Sequence, residues 1–299
     1  MNLPIFDLHC DTATELLGRD FSCTTPLRSN KLHIDLERMK QYPTYAQCFA
    51  FWFTTDLPLP KGIKVEDLFW RELSVLQDQI DKNKDLIRQA RSAADVRKNM
   101  ADGVVSAIFT LEGPAGIGFD PAKLQKLHNL GFRISTLGWN ENNCLTGSQK
   151  TGGGLTKRGR EYVKECQRLG ILVDVSHISD EAFWQIIDMT DAPVIATHSN
   201  SRAVCSASRN LTDDMFRAVC STGGVAGLTC VLTLWASIQP WILPVTTFFI
   251  SLSWILRAHT LLLAVIWTVF LKCRKVFTVF RIMESWHSVC WNAELTKIH

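Results

Sequence analysis

The run Ile171-Leu172-Val173-Asp174-Val175-Ser176-His177 is followed, one helix later, by Val194-Ile195-Ala196-Thr197-His198. Both are short, β-branched and apolar, as buried strands are, and both end on a histidine. Ser179 between them is an N-cap, and Asp180 and Glu181 suit the positive end of the helix that it opens. Strand, helix and strand in this order form the repeating unit of a parallel α/β fold.

The same unit recurs along the chain. Apolar runs lie at Ile5–Leu8, Tyr45–Phe53, Val104–Leu111, Phe132–Leu137 and Val225–Leu228. Helical spacing fills the gaps. Val65–Lys82 sets Leu68, Phe69, Leu73, Leu76 and Ile80 on one face, and Pro121–Leu130 and Thr156–Leu169 stop at Gly131 and Gly170. Thr212-Asp213-Asp214 opens another helix. Seven strands with intervening helices predict an α/β fold, a (β/α)8 TIM-like barrel, rather than a three-layer sandwich. The barrel is incomplete, with seven of eight strands and an aberrant apolar C-terminal tail.

The composition allows such a core. The chain has 299 residues, 46% hydrophobic and 20% charged, with a formal net charge of +3. Its ten cysteines form no C-x-x-C pair, which excludes a zinc ribbon and a disulfide framework. Ile5-Phe6-Asp7-Leu8 begins almost at once, with no basic and apolar leader, so a cytoplasmic location is expected. No basic patch calls for nucleic acid outside Lys272–Lys275. Gly152-Gly153-Gly154 lacks the spacing of a phosphate loop and is expected to be a flexible connection.

Barrel sites lie at the C-terminal ends of the strands. The first strand runs into His9-Cys10-Asp11, where residues two apart point the same way and can share a cation. The third ends on Glu112, an acid leaving a strand too apolar to keep it. His177 and His198 end the fifth and sixth. Singly these are weak signals. Together, three imidazoles and two carboxylates on one rim fit two divalent metals about 3.5–4 Å apart. His9 and Asp11 hold one metal and His177 and His198 the other, with Glu112 bridging. This donor set favours two zinc ions, with manganese or iron as alternatives.

These residues resemble the membrane (renal) dipeptidase family, zinc metallopeptidases on an amidohydrolase-like barrel. The likeness covers about residues 4–228. It rests on Asp7-Leu8-His9-Cys10-Asp11, Thr110-Leu111-Glu112-Gly113, the two histidine strands, and Ala207-Ser208-Arg209-Asn210-Leu211-Thr212-Asp213-Asp214. The resemblance implies hydrolysis of a small dipeptide by a hydroxide that bridges two zinc ions. It implies that Arg209 receives the substrate's terminal carboxylate, which suits a guanidinium fork. It places Trp139 and Asn140 in the substrate pocket. Better-known members carry a histidine where this chain has Trp139, so the dipeptide preference departs from theirs. Neither nucleic acid nor a membrane is an expected partner, and a homodimer is compatible with the sequence.

After Leu228 the resemblance stops, and 1–228 and 229–299 are read as separate parts. The tail holds six of the ten tryptophans, no aspartate, and no charge between Ala218 and Leu256. The eighth strand, with the aspartate that moves the proton in the family, is missing, so no catalytic proton carrier is assigned. A membrane anchor fits poorly. Arg257 splits the apolar stretch, and a span needs about 20 apolar residues. A reading-frame shift near Leu228–Thr229 fits better. Trp267 (TGG) followed by Thr268 (ACN) contains GAC, an aspartate codon, in the frame starting one nucleotide earlier. Permitted codons across Leu263–Val269 then read Leu-Gly-Gly-Asp-Leu-Asp-Gly, the family's eighth-strand motif. Pro244–Phe248 similarly allows Ala-Cys-Asp-His-Ile. The alternatives to an active dipeptidase are a catalytically dead truncated product and a membrane-tethered binding protein.

Overall fold

The computed structural model describes residues 4–17, 25–59, 61–229 and the backbone of 265–266. The remaining tail readings fall outside the described residues. Among the described residues the strands are β1 Ile5–Cys10, β2 Tyr45–Trp52, β3 Ile87–Gln89, β4 Val105–Glu112, β5 Phe132–Thr136, β6 Leu172–Asp174, β7 Val194–Ile195, β8 Leu228–Thr229 and β9 Val265–Ile266. The α-helices are α1 Thr12–Glu15, α2 Leu36–Met39, α3 Val65–Lys82, α4 Ala93–Ala101, α5 Leu124–Leu130, α6 Lys157–Leu169, α7 Asp180–Met189 and α8 Asp213–Ser221.

All pairings between named strands are parallel. The sheet runs β1-β2-β4-β5-β6-β7, with β3 against the start of β4. A bridge between Ala196 and Ala226 carries it on toward β8. β8 pairs with β9 (Leu228 with Val265, Thr229 with Ile266), and β9 runs beside β1. The seven expected strands are therefore present. At the eighth place the described residues are those of β9, Val265–Ile266, between β8 and β1. No helix among the described residues is long and apolar enough to cross a membrane.

Local chemistry explains the elements. β4 is buried at all eight positions, as a parallel strand covered on both faces must be. Thr156, Ser179 and Thr212 cap α6, α7 and α8, each hydroxyl accepting the N–H three residues on at 3.0–3.2 Å. Gly131 and Gly170 end α5 and α6 with φ of 102° and 72°. The stretch from Pro121 begins as a 3-10 turn, capped by Asp120 Oδ1 on the Ala122 N–H, and becomes α-helical at Leu124. β3 and α4 escape the periodicity reading. Ile87-Arg88-Gln89 is too short and polar to alternate, and α4 buries mainly Asn99.

Two apolar clusters support the strands. The larger contains Phe51, Phe69, Phe109 and Phe132, with ring centroids 5.0–5.9 Å apart. The smaller takes Leu8, Cys48, Ile108, Ile134 and Ile195 from five strands. Ile108 and Glu112 lie four apart on β4 and so share a face, which makes this cluster the floor beneath Glu112. The chain leaves β4 through Gly113, at φ 75°, where a Cβ would stand 2.2 Å from the Phe53 carbonyl oxygen.

Glu72 breaks the apolar face of α3. It is fully buried, Thr14 Oγ1 donates to its Oε1 at 3.4 Å, and its Oε2 has no partner among the described residues. Burial pushes its carboxyl well above the usual carboxylate range. The folded state therefore keeps a proton that the unfolded chain releases as pH rises past about 4.3. This contribution to stability is complete in acid and is lost with rising pH, by at most about 1.4 kcal/mol per pH unit. Glu72→Gln should cancel the slope. Its melting temperature relative to the parent should rise between pH 5 and pH 8, as followed by thermal melts across that range.

Candidate metal centre

Five side chains from four strand tips define the centre. His9, on β1, is 2% exposed, and its Nε2 lies 3.2 Å from Asp11 Oδ1 and 3.2 Å from Glu112 Oε2. Asp11 follows β1 directly and stands at the N-terminus of α1. Glu112 ends β4. Its Oε1 lies 3.0 Å from His177 Nε2 and 3.4 Å from His198 Nε2. One carboxylate thus reaches three imidazoles, two on one oxygen and one on the other. His177 Nε2 and His198 Nε2 are 2.7 Å apart, and the rings of His9 and His198 stack at 3.9 Å. The structure thus brings all five sequence-selected residues together at one point.

His177 reaches the centre through a backbone φ of 72°, a left-handed conformation that costs a non-glycine residue about 1–2 kcal/mol. Its carbonyl is held by the Gln149 N–H at 2.8 Å. Gln149 belongs to the glycine-rich connection between β5 and α6. Rather than a loose loop, that connection is a tight turn: Ser148, Thr151 and Asn142 hydrogen-bond to one another, and a Cβ at Gly147 would meet the Gly152 carbonyl oxygen at 1.9 Å.

The electrostatics fit a cation. Burial would lower the His9 pKa, but the Glu112 and Asp11 carboxylates outweigh it and hold the imidazole protonated well above its ordinary range. Burial likewise opposes charge on Glu112, and His9 with the other two imidazoles keeps it ionised. Burial, and then the Arg209 charge, push His177 down to about 4. Burial, His9 and Arg209 push His198 down as well. His177 Nδ1 faces Asn140 Oδ1 at 3.0 Å, and His198 Nδ1 faces Thr197 Oγ1 at 2.7 Å. With protons on those Nδ1 atoms, two bare Nε2 lone pairs and a carboxylate oxygen crowd one point. Such a group of acceptors is relieved by a positive charge. In the metal-free protein the His9 proton supplies part of it. The donor set of imidazole nitrogen and carboxylate oxygen suits a transition metal such as zinc. His9, Glu112 and His198 each offer a ligand atom within 4.8 Å of the others.

Arg209 lies nearby and is 8% exposed. Its Nη1 donates to Ser199 Oγ at 2.8 Å, and Nη2 has no partner among the described residues. Burial lowers its pKa to about 10. Trp139 packs on both sides, its ring centroid 5.0 Å from Trp52 and 6.0 Å from His177. These tryptophans, with Thr54, Asp56, Asn140 and Glu141, line a cavity of about 320 Å³. Asn140 Oδ1 also accepts from Gln149 Nε2 at 2.7 Å, so this amide braces His177 at the edge of that cavity.

Sequence reading passed over Asp7, Asp174, Thr197 and Ser199. Asp7 Oδ1 accepts the His9 N–H at 3.1 Å, and burial raises its carboxyl to about 8. The available signal was an acid inside an apolar strand, as with Glu112, but its partners lie on other strands or on backbone.

Comparison with known proteins follows the same lines. The family profile described as "Membrane dipeptidase (Peptidase family M19)" matches residues 1–286. An uncharacterised Klebsiella pneumoniae protein encoded in the pqqA 5′ region is 34% identical over 170 residues, 54% of this chain and 63% of its own. The dipeptidase verJ of Clonostachys rogersoniana is 27% identical over 67% of this chain and 54% of its own. The chain thus spans between half and two thirds of these two relatives. Among solved structures, a Rhodobacter sphaeroides metallo peptidase liganded with a phosphinate mimic of L-Ala-D-Ala superposes with a TM-score of 0.74. It is 28% identical and covers 89% of this chain and 86% of its own. The dipeptidase AC, a metallo peptidase of family M19, gives 0.73 at 30% identity, covering 85% of this chain and 81% of its own.

Removing the shared anion should dissolve the centre. Glu112→Ala is expected to lower zinc affinity at least about 100-fold. It should also destabilise the metal-free protein by about 3–5 kcal/mol, because the His9 charge is left buried without its main partner. Zinc content after equilibrium dialysis and urea unfolding of the apoprotein check the two effects.

Proposed function

Because the chain belongs to the membrane dipeptidase family, peptidase family M19, we propose that it is built to hydrolyse dipeptides at a two-metal centre. The observation that carries this reading is the buried Arg209 with one nitrogen free beside the cluster of His9, Asp11, Glu112, His177 and His198. His9 and Asp11 would hold one zinc and His177 and His198 the other, with Glu112 between them. Two such ions, when bound, supply Lewis acidity for the scissile carbonyl and bring the ionisation of a water near neutral pH.

The chain's own groups do the positioning. Arg209 can receive the terminal carboxylate through Nη2 while Ser199 holds Nη1 in place. Two buried partners of opposite charge, desolvated together, then fix how far the scissile bond lies from the cluster. Trp139 and Trp52 form an aromatic wall that excludes water and shapes the side-chain preference. A tryptophan cannot supply an imidazole's acid, so Trp139 selects by shape. The phosphinate mimic held by the Rhodobacter peptidase makes L-Ala-D-Ala a suitable probe.

A second reading concerns turnover. Residues 229–299 contain no aspartate, and β9 stands where an eighth strand would deliver one. We read this tail as a frame-shifted sequence and this chain as impaired in proton transfer. The placement of Val265–Ile266 supports that reading, because these residues fall within the stretch whose shifted frame allows Gly-Gly-Asp by permitted codon choice. Sequencing the gene across codons 225–270 tests it directly.

Three outcomes are expected with zinc-loaded protein and L-Ala-D-Ala. A version restored to the other frame after Leu228 should turn over. The present chain should be slower by at least about 100-fold, the lower range for a lost general acid or base. In the restored version, Arg209→Met should cut kcat/KM by roughly 100-fold, about 3 kcal/mol for an unpaired buried charge, with zinc content unchanged. Absence of turnover in both versions contradicts the dipeptidase reading, and equal turnover contradicts the impairment.

A further inference from the structure

Behind His198 lies a buried chain of hydrogen bonds to which the sequence reading gives no role. Asp174 ends β6 and is 2% exposed. Its Oδ1 accepts the backbone N–H groups of Ser176 and Thr197, both at 2.9 Å. Its Oδ2 accepts the Thr197 hydroxyl at 2.5 Å, and Thr197 Oγ1 stands 2.7 Å from His198 Nδ1. Ser176 Oγ accepts the His198 N–H at 3.2 Å and fixes the backbone beneath the ring. All four residues are buried.

We propose that Thr197, set by Asp174, is a positioning residue that dictates the tautomer of His198 and so keeps its Nε2 lone pair turned toward the metal centre. The inference rests on His198 being a metal ligand, as read above. The argument is a count of protons. A hydroxyl has one, and Thr197 gives it to Asp174, which three donors engage as an acceptor. Toward His198 the same oxygen can then only accept. Nδ1 must carry the imidazole proton, and Nε2 is left bare. Ligating histidines commonly gain this from a carboxylate or carbonyl touching the ring directly. Here a threonine stands between, so the carboxylate acts through the direction of one O–H bond.

The consequence separates this role from simple packing. Without the hydroxyl, an Nδ1 proton has no acceptor among the described residues, whereas an Nε2 proton finds His177 Nε2 at 2.7 Å and Glu112 Oε1 at 3.4 Å. The proton moves to the face where the metal binds. Asp174→Asn makes a sharper case. The two backbone N–H groups retain the amide oxygen at the Oδ1 position. The amide NH₂ then faces Thr197 Oγ1 and donates to it, the hydroxyl turns to donate to Nδ1, and the tautomer inverts with every side chain still in place. His177 keeps its own tautomer, because Asn140, braced by Gln149, accepts at its Nδ1 and its bare Nε2 can only accept from His198.

The test uses the full-length, metal-free chain labelled with ¹⁵N-histidine, with two-bond ¹H–¹⁵N correlation spectra at pH 7.5. The parent and Thr197→Ser should show His198 as the Nδ1–H form. Thr197→Val and Asp174→Asn should show Nε2–H, with His177 unchanged in both. In zinc titrations against a chromophoric chelator, both variants should bind about 10–100-fold more weakly, while Thr197→Ser stays close to the parent. Parental tautomer and affinity in a folded Thr197→Val or Asp174→Asn would overturn the proposal; melting curves establish folding, and either variant suffices. A parent chain that binds no zinc refutes the metal reading and this proposal with it. Zinc binding that is insensitive to both variants refutes only the role of Thr197.

Discussion

One carboxylate governs this structure. Glu112 is buried among three imidazoles, where an unpaired charge is prohibitively costly and a paired one is strongly held. His9 must approach from one side and His177 with His198 from the other. Each distance is close to 3 Å, so small errors in any of four strands would leave the charge exposed to apolar surroundings. The fold is the means of meeting that constraint.

A parallel sheet meets it because all strand ends of one polarity share a rim. Register does the fine adjustment. Trp52 pairs with Glu112 across β2 and β4, and Asp174 pairs with Ile195 across β6 and β7, which brings His177 and His198 to the same level. Below this rim the apolar cluster of Leu8, Cys48, Ile108, Ile134 and Ile195 and the phenylalanine cluster offset the cost of burying a polar centre above them. Losing one such phenylalanine to alanine typically costs 3–5 kcal/mol. The polar centre is thus affordable only on a well-packed floor.

Much of this was legible from particular residues. His9 and Asp11 are two apart on an extended segment. His177 and His198 end consecutive strands, and Glu112 stands where an apolar strand turns polar. These are local patterns, and side-chain direction in a strand follows from parity alone. Arg209 was legible only through resemblance, since nothing local distinguishes it from a surface arginine; burial and the free Nη2 are tertiary facts. β3 and α4 were illegible because their burial comes from neighbours rather than from their own periodicity. The glycine-rich connection looked slack by composition, yet close backbone approaches between Gly147 and Gly152 require those glycines.

The sequence by itself determined the class of fold, the seven main strands and the kind of atoms gathered at their tips, because hydrophobic period and residue chemistry are properties of short segments. It also exposed the compositional break after Leu228. Only the tertiary structure decided which oxygen of Glu112 faces which imidazole, that Asn140 braces a ligand, and that Thr197 and Asp174 stand behind His198. Those outcomes depend on distances of a few tenths of an ångström between residues remote in the chain, and proton placement follows from such distances alone.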